Sequence, residues 1–252
     1  MESLESGARI TKAPLLRSIA VFGLPLVIAM MLAALFNVVD LFIVAQPANT
    51  VETAAVAVAA VTIPSLVNSI PMIIFNGIVN AIIALVARHH GLGNNRRANV
   101  AAGQGLLLTV ILGVVFGVPP YIFAEDICVA LGATGDVIPP ATEYLEIMSL
   151  GTSTMFLLLQ GTGVMRAAGN STLPMILVIG ANVLNIVLDV WFVFGGLGLP
   201  SMGVGGAAWA TVIARGVFAA WGIAALYRGF AGLRLRRWYW HWRTNWTILK
   251  IG

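Results

Sequence analysis

Charge is what this sequence has least of. Asp, Glu, Lys and Arg make up only 10% of its 252 residues, against about 25% in an average soluble domain. With 59% apolar residues and a mean hydropathy of +0.94, a water-soluble globular domain is excluded. Cysteine is almost absent: Cys128 stands alone, which rules out an intrachain disulfide and any cysteine-based metal or redox spacing, and leaves it as apolar filler. Histidine is scarce too, and the adjacent pair His89 and His90 cannot share a helical face or find an acidic or cysteine partner nearby. No metal site and no cofactor are therefore expected. Nor does any serine, cysteine or histidine constellation sit with its partners in an apolar segment, so the chain does not read as an enzyme. The pI of 9.7 would suggest nucleic acid in a soluble protein. Here the positive charge is confined to one set of loops, which reads as membrane orientation rather than as a nucleic-acid partner.

What is present is a series of long apolar runs, at about 14–45, 53–87, 98–123, 141–168, 174–194 and 204–227, each sufficient to cross a bilayer. The expected fold is an all-α integral membrane protein, a six-transmembrane-helix bundle over residues 1–230. Pro25 should kink the first span, and Pro64 and Pro71 should bend the second. Residues 1–12 lack the apolar core and cleavage site of a secretory signal and should be retained. Apart from Arg215, every Lys and Arg falls before or in the first turn of span one, after span two, in the last turn of span four or after span six. The other loops hold Glu52, Glu125, Asp126 and Asp136. The excess of positive charge on one side places both termini in the cytoplasm of a multi-pass protein of the plasma (inner) membrane. Residues 231–252 mix arginine with Trp238, Tyr239, Trp240, Trp242 and Trp246, a composition suited to a basic aromatic cytoplasmic segment at the membrane surface. Its last residues, Ile248-Leu-Lys-Ile-Gly252, can be laid against Ile19-Ala-Val-Phe-Gly23, as if the sequence stopped at the start of a seventh span and a second repeat.

Polar residues inside the apolar runs are the candidates for function. Asn182, Asn185 and Asp189 are spaced by three and four residues, so they share one face of span five. Asn37 and Asp40 do the same near the far end of span one. An Asp at a helix centre costs roughly 2.5–3.5 kcal/mol on insertion scales, which makes both carboxylates candidates for coupling chemistry. Both lie late in outward-running helices and could share a cavity. Thr211 and Arg215 lie one turn apart on span six, behind the small-residue stretch Gly203-Val-Gly-Gly-Ala-Ala. That arginine either snorkels, pairs with a buried carboxylate or carbonyls, or meets substrate. Polar side chains in membrane bundles also bond across helices merely to hold them together, and that reading stays open for Asn182.

These residues together resemble the multidrug and toxic compound extrusion (MATE) transporters. The pieces that carry the resemblance are Gly23-Leu-Pro25, Val39-Asp40, Leu85-Val-Ala87 with Gly91, Leu131-Gly-Ala with Tyr144-Leu, Met165-Arg-Ala-Ala-Gly-Asn170, Asn182 through Asp189, and Gly203 through Thr211. The resemblance, to the DinF-like branch, covers almost the whole chain but implies only the N-terminal lobe of a twelve-helix protein. It implies a secondary antiporter that exports small organic, often cationic, compounds against an inward H+ or Na+ flux, with Asp40, Asn185 and Asp189 in ion coupling. Asn37, Asn182, Thr211 and Arg215 would line the cavity. It also implies a partner, either a second six-helix lobe or a second copy of the chain. A lipid-linked precursor flippase of related architecture and a non-transporting membrane fragment or scaffold are the alternatives.

Overall fold

A computed structural model describes residues 15–46, 50–196, 198, 200–235 and 242–251. Among them the structure is helical, with an isolated bridge between Phe230 and Leu233. The helices are α1 (Leu15–Ala45), α2 (Val51–Gly91), α3 (Asn95–Ile122), α4 (Ala124–Ala130), α5 (Ile138–Leu150), α6 (Thr152–Ala167), α7 (Thr172–Phe194), α8 (Gly203–Arg228) and α9 (Trp242–Ile251). A 3-10 turn, Gly135–Val137, leads into α5. Five of the helices are long and apolar enough to cross a membrane, and six spans result if α5 and α6 count as one.

That pair departs from the expected single helix over 141–168. The chain bends by 46° between α5 and α6. Gly151 sits at the break, where an added Cβ would run into the Val212 side chain of α8. The bare backbone admits the neighbouring helix, and two hydroxyls take carbonyls around the break: Thr152 Oγ1 donates to Met148 O at 3.3 Å and Thr154 Oγ1 to Gly151 O at 2.7 Å.

The second span behaves differently: α2 runs as one helix of 41 residues through Pro64 and Pro71. Thr50 caps it in a reciprocal box with Thr53, and Glu52 lies in its first turn. Its polar side chains are absorbed by its own backbone. Ser65 Oγ donates to Val61 O at 2.7 Å and Asn76 Nδ2 to Met72 O at 2.8 Å, which lets hydroxyls and carboxamides lie at bilayer depth without outside partners. Pro25 lies within the helical run of α1, but its side chain falls outside the described residues.

α2, α3 and α6 form one close set, α1 packs chiefly on α7, α7 packs on α8, and α6 joins the two groups by packing on α8 as closely as on α3. The largest buried cluster joins Ile82 and Val86 of α2, Leu106 of α3, Met165 of α6, Leu177 of α7 and Leu226 of α8 with Leu233 and Ile248. Cys128 is fully buried in α4 beside Ala60, Ala141 and Leu145, and that burial pushes its thiol above the ordinary range. Of the basic aromatic segment, residues 236–241 lie outside the described set. The part that is described, α9, buries Asn245 and Ile248 while Trp242 and Trp246 stay exposed. Asn245 Nδ2 donates to Gln104 Oε1 of α3 at 2.8 Å, so one face of this amphipathic helix docks on the bundle.

Candidate functional site

The site is assembled from four helices. α1 supplies Asp40, α5 Tyr144, α7 Asn185 and Asp189, and α8 Thr211 and Arg215. Asp189 is 0% exposed, with Thr211 and Tyr144 nearly as deep; Asp40, Asn185 and Arg215 are half-buried. Around them, Ile43, Val44, Val193, Ala207 and Ala208 form an apolar wall.

The spacing on α7 divides its polar residues by what each can reach. Asn182 turns back on its own helix, donating from Nδ2 to Val178 O at 3.0 Å. One turn on, Asn185 Nδ2 crosses to α8 and donates to Thr211 Oγ1 at 3.2 Å. A further turn brings Asp189 against the Asp40 carboxyl and the Asn185 carboxamide, yet neither Asp189 oxygen, nor Oδ1 of Asp40, has a well-formed hydrogen bond. Buried polar atoms without partners are uncommon in folded proteins and call for a physical explanation. Asn37, one turn before Asp40 on α1, is exposed.

Arg215 lies beside the carboxylates without pairing to them. Asp40, Asp189 and Tyr144 act on its guanidinium electrostatically, but its one recorded hydrogen bond runs from Nη1 to the Met155 thioether at 3.5 Å. The same side chain borders a cleft with Asn68 and Pro71 of α2, Met148 of α5, Gly151 at the break, Thr152, Met155 and Phe156 of α6, and Val212 of α8. Tyr144, Met155, Asn68 and Thr152 were not among the sequence candidates. Each is a common residue in an apolar run, and only the α5–α6 break gathers three of them with Arg215. Among the described residues no group of three or more His, Cys, Asp or Glu is placed to hold a metal ion, and His90 is engaged with Asn95 Oδ1 at 3.0 Å.

Comparison with known proteins places this arrangement in a family. The family model MatE matches residues 25–191, a stretch that contains Asp40, Tyr144, Asn185 and Asp189. The chain is 30% identical over 203 residues to "Probable multidrug resistance protein YoeA" of Bacillus subtilis, covering 81% of this chain and 43% of that protein. It is 28% identical over 200 residues to the "FAD transporter" of Shewanella oneidensis, covering 79% of this chain and 43% of the relative. Among solved structures, a MOP-superfamily transporter from Pyrococcus furiosus superposes with a TM-score of 0.84 at 23% identity, over 97% of this chain and 53% of the other. An outward-facing multidrug resistance MATE family transporter gives 0.83 at 24% identity, over 97% and 52%. The chain thus spans about half the length of the proteins it matches. A membrane bundle whose matched residues hold its buried carboxylates, with a multidrug resistance relative aligned over most of its length, is a multi-pass membrane protein of the MATE transporter family.

Proposed function

We propose that this chain is one lobe of a secondary antiporter that exports organic compounds against an inward flux of H+ or Na+, with both termini in the cytoplasm. The observation that carries this reading is the meeting of Asp40 and Asp189 inside the bundle, beside the Asn185–Thr211 pair. Two carboxyl groups in contact can hydrogen-bond to each other only when one holds a proton, and two carboxylates with carboxamide and hydroxyl oxygens also suit a hard cation. Either ion changes the charge between α1 and α7, the helix pair through which α1 is chiefly held. Asp40 and Asp189 are the ion-coupling groups, Asn185 orients Asp189, and Thr211 and Arg215 line the cavity that a second six-helix lobe or a second copy would close. The names of the relatives, a multidrug resistance protein and a FAD transporter, fit a lobe that serves chemically diverse cargo.

The test is dye efflux from proteoliposomes under imposed H+ or Na+ gradients, with the molecular mass in the membrane measured on the same sample. The chain is assayed alone and co-reconstituted with a second six-helix lobe. Gradient-dependent efflux that falls to background in Asp189→Asn is the expected result. Efflux in Asp189→Asn that still follows the gradient would overturn the assignment.

A further inference from the structure

The cleft beside Arg215 does not include the carboxylate pair, and its one charged lining residue is the arginine. It lies about halfway along α2 and α8, where the α5–α6 span is broken. Three features converge on it. The guanidinium has five N–H donors, yet among the described residues it has no ion-pair partner and its one recorded hydrogen bond ends on a thioether. The N-terminal end of α6, a helix of 16 residues, opens on the same cleft through Gly151 and Thr152. Broken helices in membranes turn their positive N-terminal ends toward anionic groups. Asn68 and Thr152 supply neutral polar groups in the wall, and Pro71, Met148, Met155, Phe156 and Val212 make the remainder apolar. The acidic groups that act on the guanidinium, the paired carboxyls Asp40 of α1 and Asp189 of α7 with the Tyr144 phenol of α5, leave its donors unoccupied.

We propose that this cleft binds the carboxylate or phosphate oxygen of an organic compound on Arg215, so that the cargo is an anion or a zwitterion rather than a simple cation. The inference rests on the transporter reading and narrows its substrate class. A zwitterion matches both halves of the site, its cationic end toward Asp40 and Asp189 and its anionic end on Arg215.

The probe is one aromatic scaffold in two charge forms: tetramethylrhodamine, a zwitterion with a free carboxylate, and its methyl ester, a cation. Binding to the 252-residue chain in nanodiscs is read by fluorescence anisotropy at equilibrium, without an ion gradient, so failure here leaves ion-coupled efflux untouched and the reverse also holds. The wild type should prefer the acid. Arg215→Met should weaken acid binding by about ten-fold, the scale of a charge-assisted hydrogen bond, and leave the ester nearly unchanged, while Arg215→Lys retains the preference. Equal or tighter binding of the ester by wild type, no binding of the acid, or an unchanged preference in Arg215→Met would each overturn the proposal. Should Arg215→Met not be monodisperse, the wild type decides: benzoate must displace the acid and benzamide must not.

Discussion

The two sides of this bundle solve the same problem in opposite ways. Between α3 and α6, and between α6 and α2, backbones approach through glycine. An added Cβ at Gly113 would stand 2.7 Å from Ser153 Cα, and one at Gly163 would stand 2.9 Å from Ile83 Cδ1. Phe75 and Phe156 stack with ring centroids 3.8 Å apart. Polar groups there return to their own helix, as Thr109 Oγ1 does to Gly105 O at 2.7 Å. Gln160, buried on α6 with neither end of its carboxamide bonded, is an exception that nothing in the structure explains. Between α1, α7 and α8, where Gly180 and Gly206 also let α7 and α8 close on each other, the polar groups are treated differently: the carboxylates and the guanidinium are brought together but left incompletely satisfied. One side satisfies most of its polar groups within its own helices, and the other keeps its own available to an ion or a ligand. The contrast separates a rigid frame from a site that can change charge.

Breaking the frame should have the largest effect. Gly113→Val would force a side chain into the Ser153 backbone, and a main chain cannot swing aside as a rotamer can. The expected cost is about 1–3 kcal/mol, the usual range for overpacking. It is read as a lower thermal midpoint of the purified protein, with the Asp40–Asp189 region unaltered in composition. A midpoint equal to wild type would show that α3 and α6 are looser than their glycine contacts indicate.

Asp189→Asn should act with the opposite sign. It exchanges a fully buried carboxyl that lacks a well-formed hydrogen bond for a neutral carboxamide of similar shape, removing one negative group from beside Asp40. The expected gain is about 1 kcal/mol, within the range seen when a functional site's frustration is relieved. The thermal midpoint should rise in the same variant whose gradient-driven efflux is lost. A drop in stability would mean that the carboxylate holds the bundle together and that the distinction between frame and site is misplaced.

Much of the frame and part of the site could be read from residue pattern. Helix ends for α7 and α8 follow from Pro174 near the start of one, the glycine-rich turn between them, and Arg228 at the end of the other. The break at Gly151 could not be read in this way. Gly-Thr-Ser-Thr inside an apolar run is compatible with a helix until Val212 of α8 is placed against it. Periodicity put Asn182, Asn185 and Asp189 on one face but could not say what each meets at its own depth. Asn182 spends its donor on Val178 O, whereas Asn185 reaches Thr211. Asn37 shares a face with Asp40 in sequence yet remains exposed, because a helical face is wider than one contact. Tyr144 and Met155 carry no charge, and their relation to Arg215 is entirely tertiary.

The smallest expected effect tests whether the link between α7 and α8 belongs to the frame or to the site. Thr211→Val keeps the shape of a nearly buried side chain and removes the oxygen that accepts from Asn185 Nδ2 at 3.2 Å. Hydrogen bonds between membrane helices contribute about 0.6 kcal/mol on average. Thermal stability should therefore fall by no more than about that amount. Asn185 is also set against Asp189, so a released carboxamide is free to turn fully toward the carboxyl, and ion dependence should shift more than stability does. A double-mutant cycle of Thr211→Val with Asn185→Ala separates the two contributions. If the pair serves only the frame, the coupling appears in the thermal midpoint and leaves the ion dependence of efflux unchanged. If it orients the site, the coupling appears in the ion concentration needed for half-maximal efflux, while the midpoints of the two variants simply add.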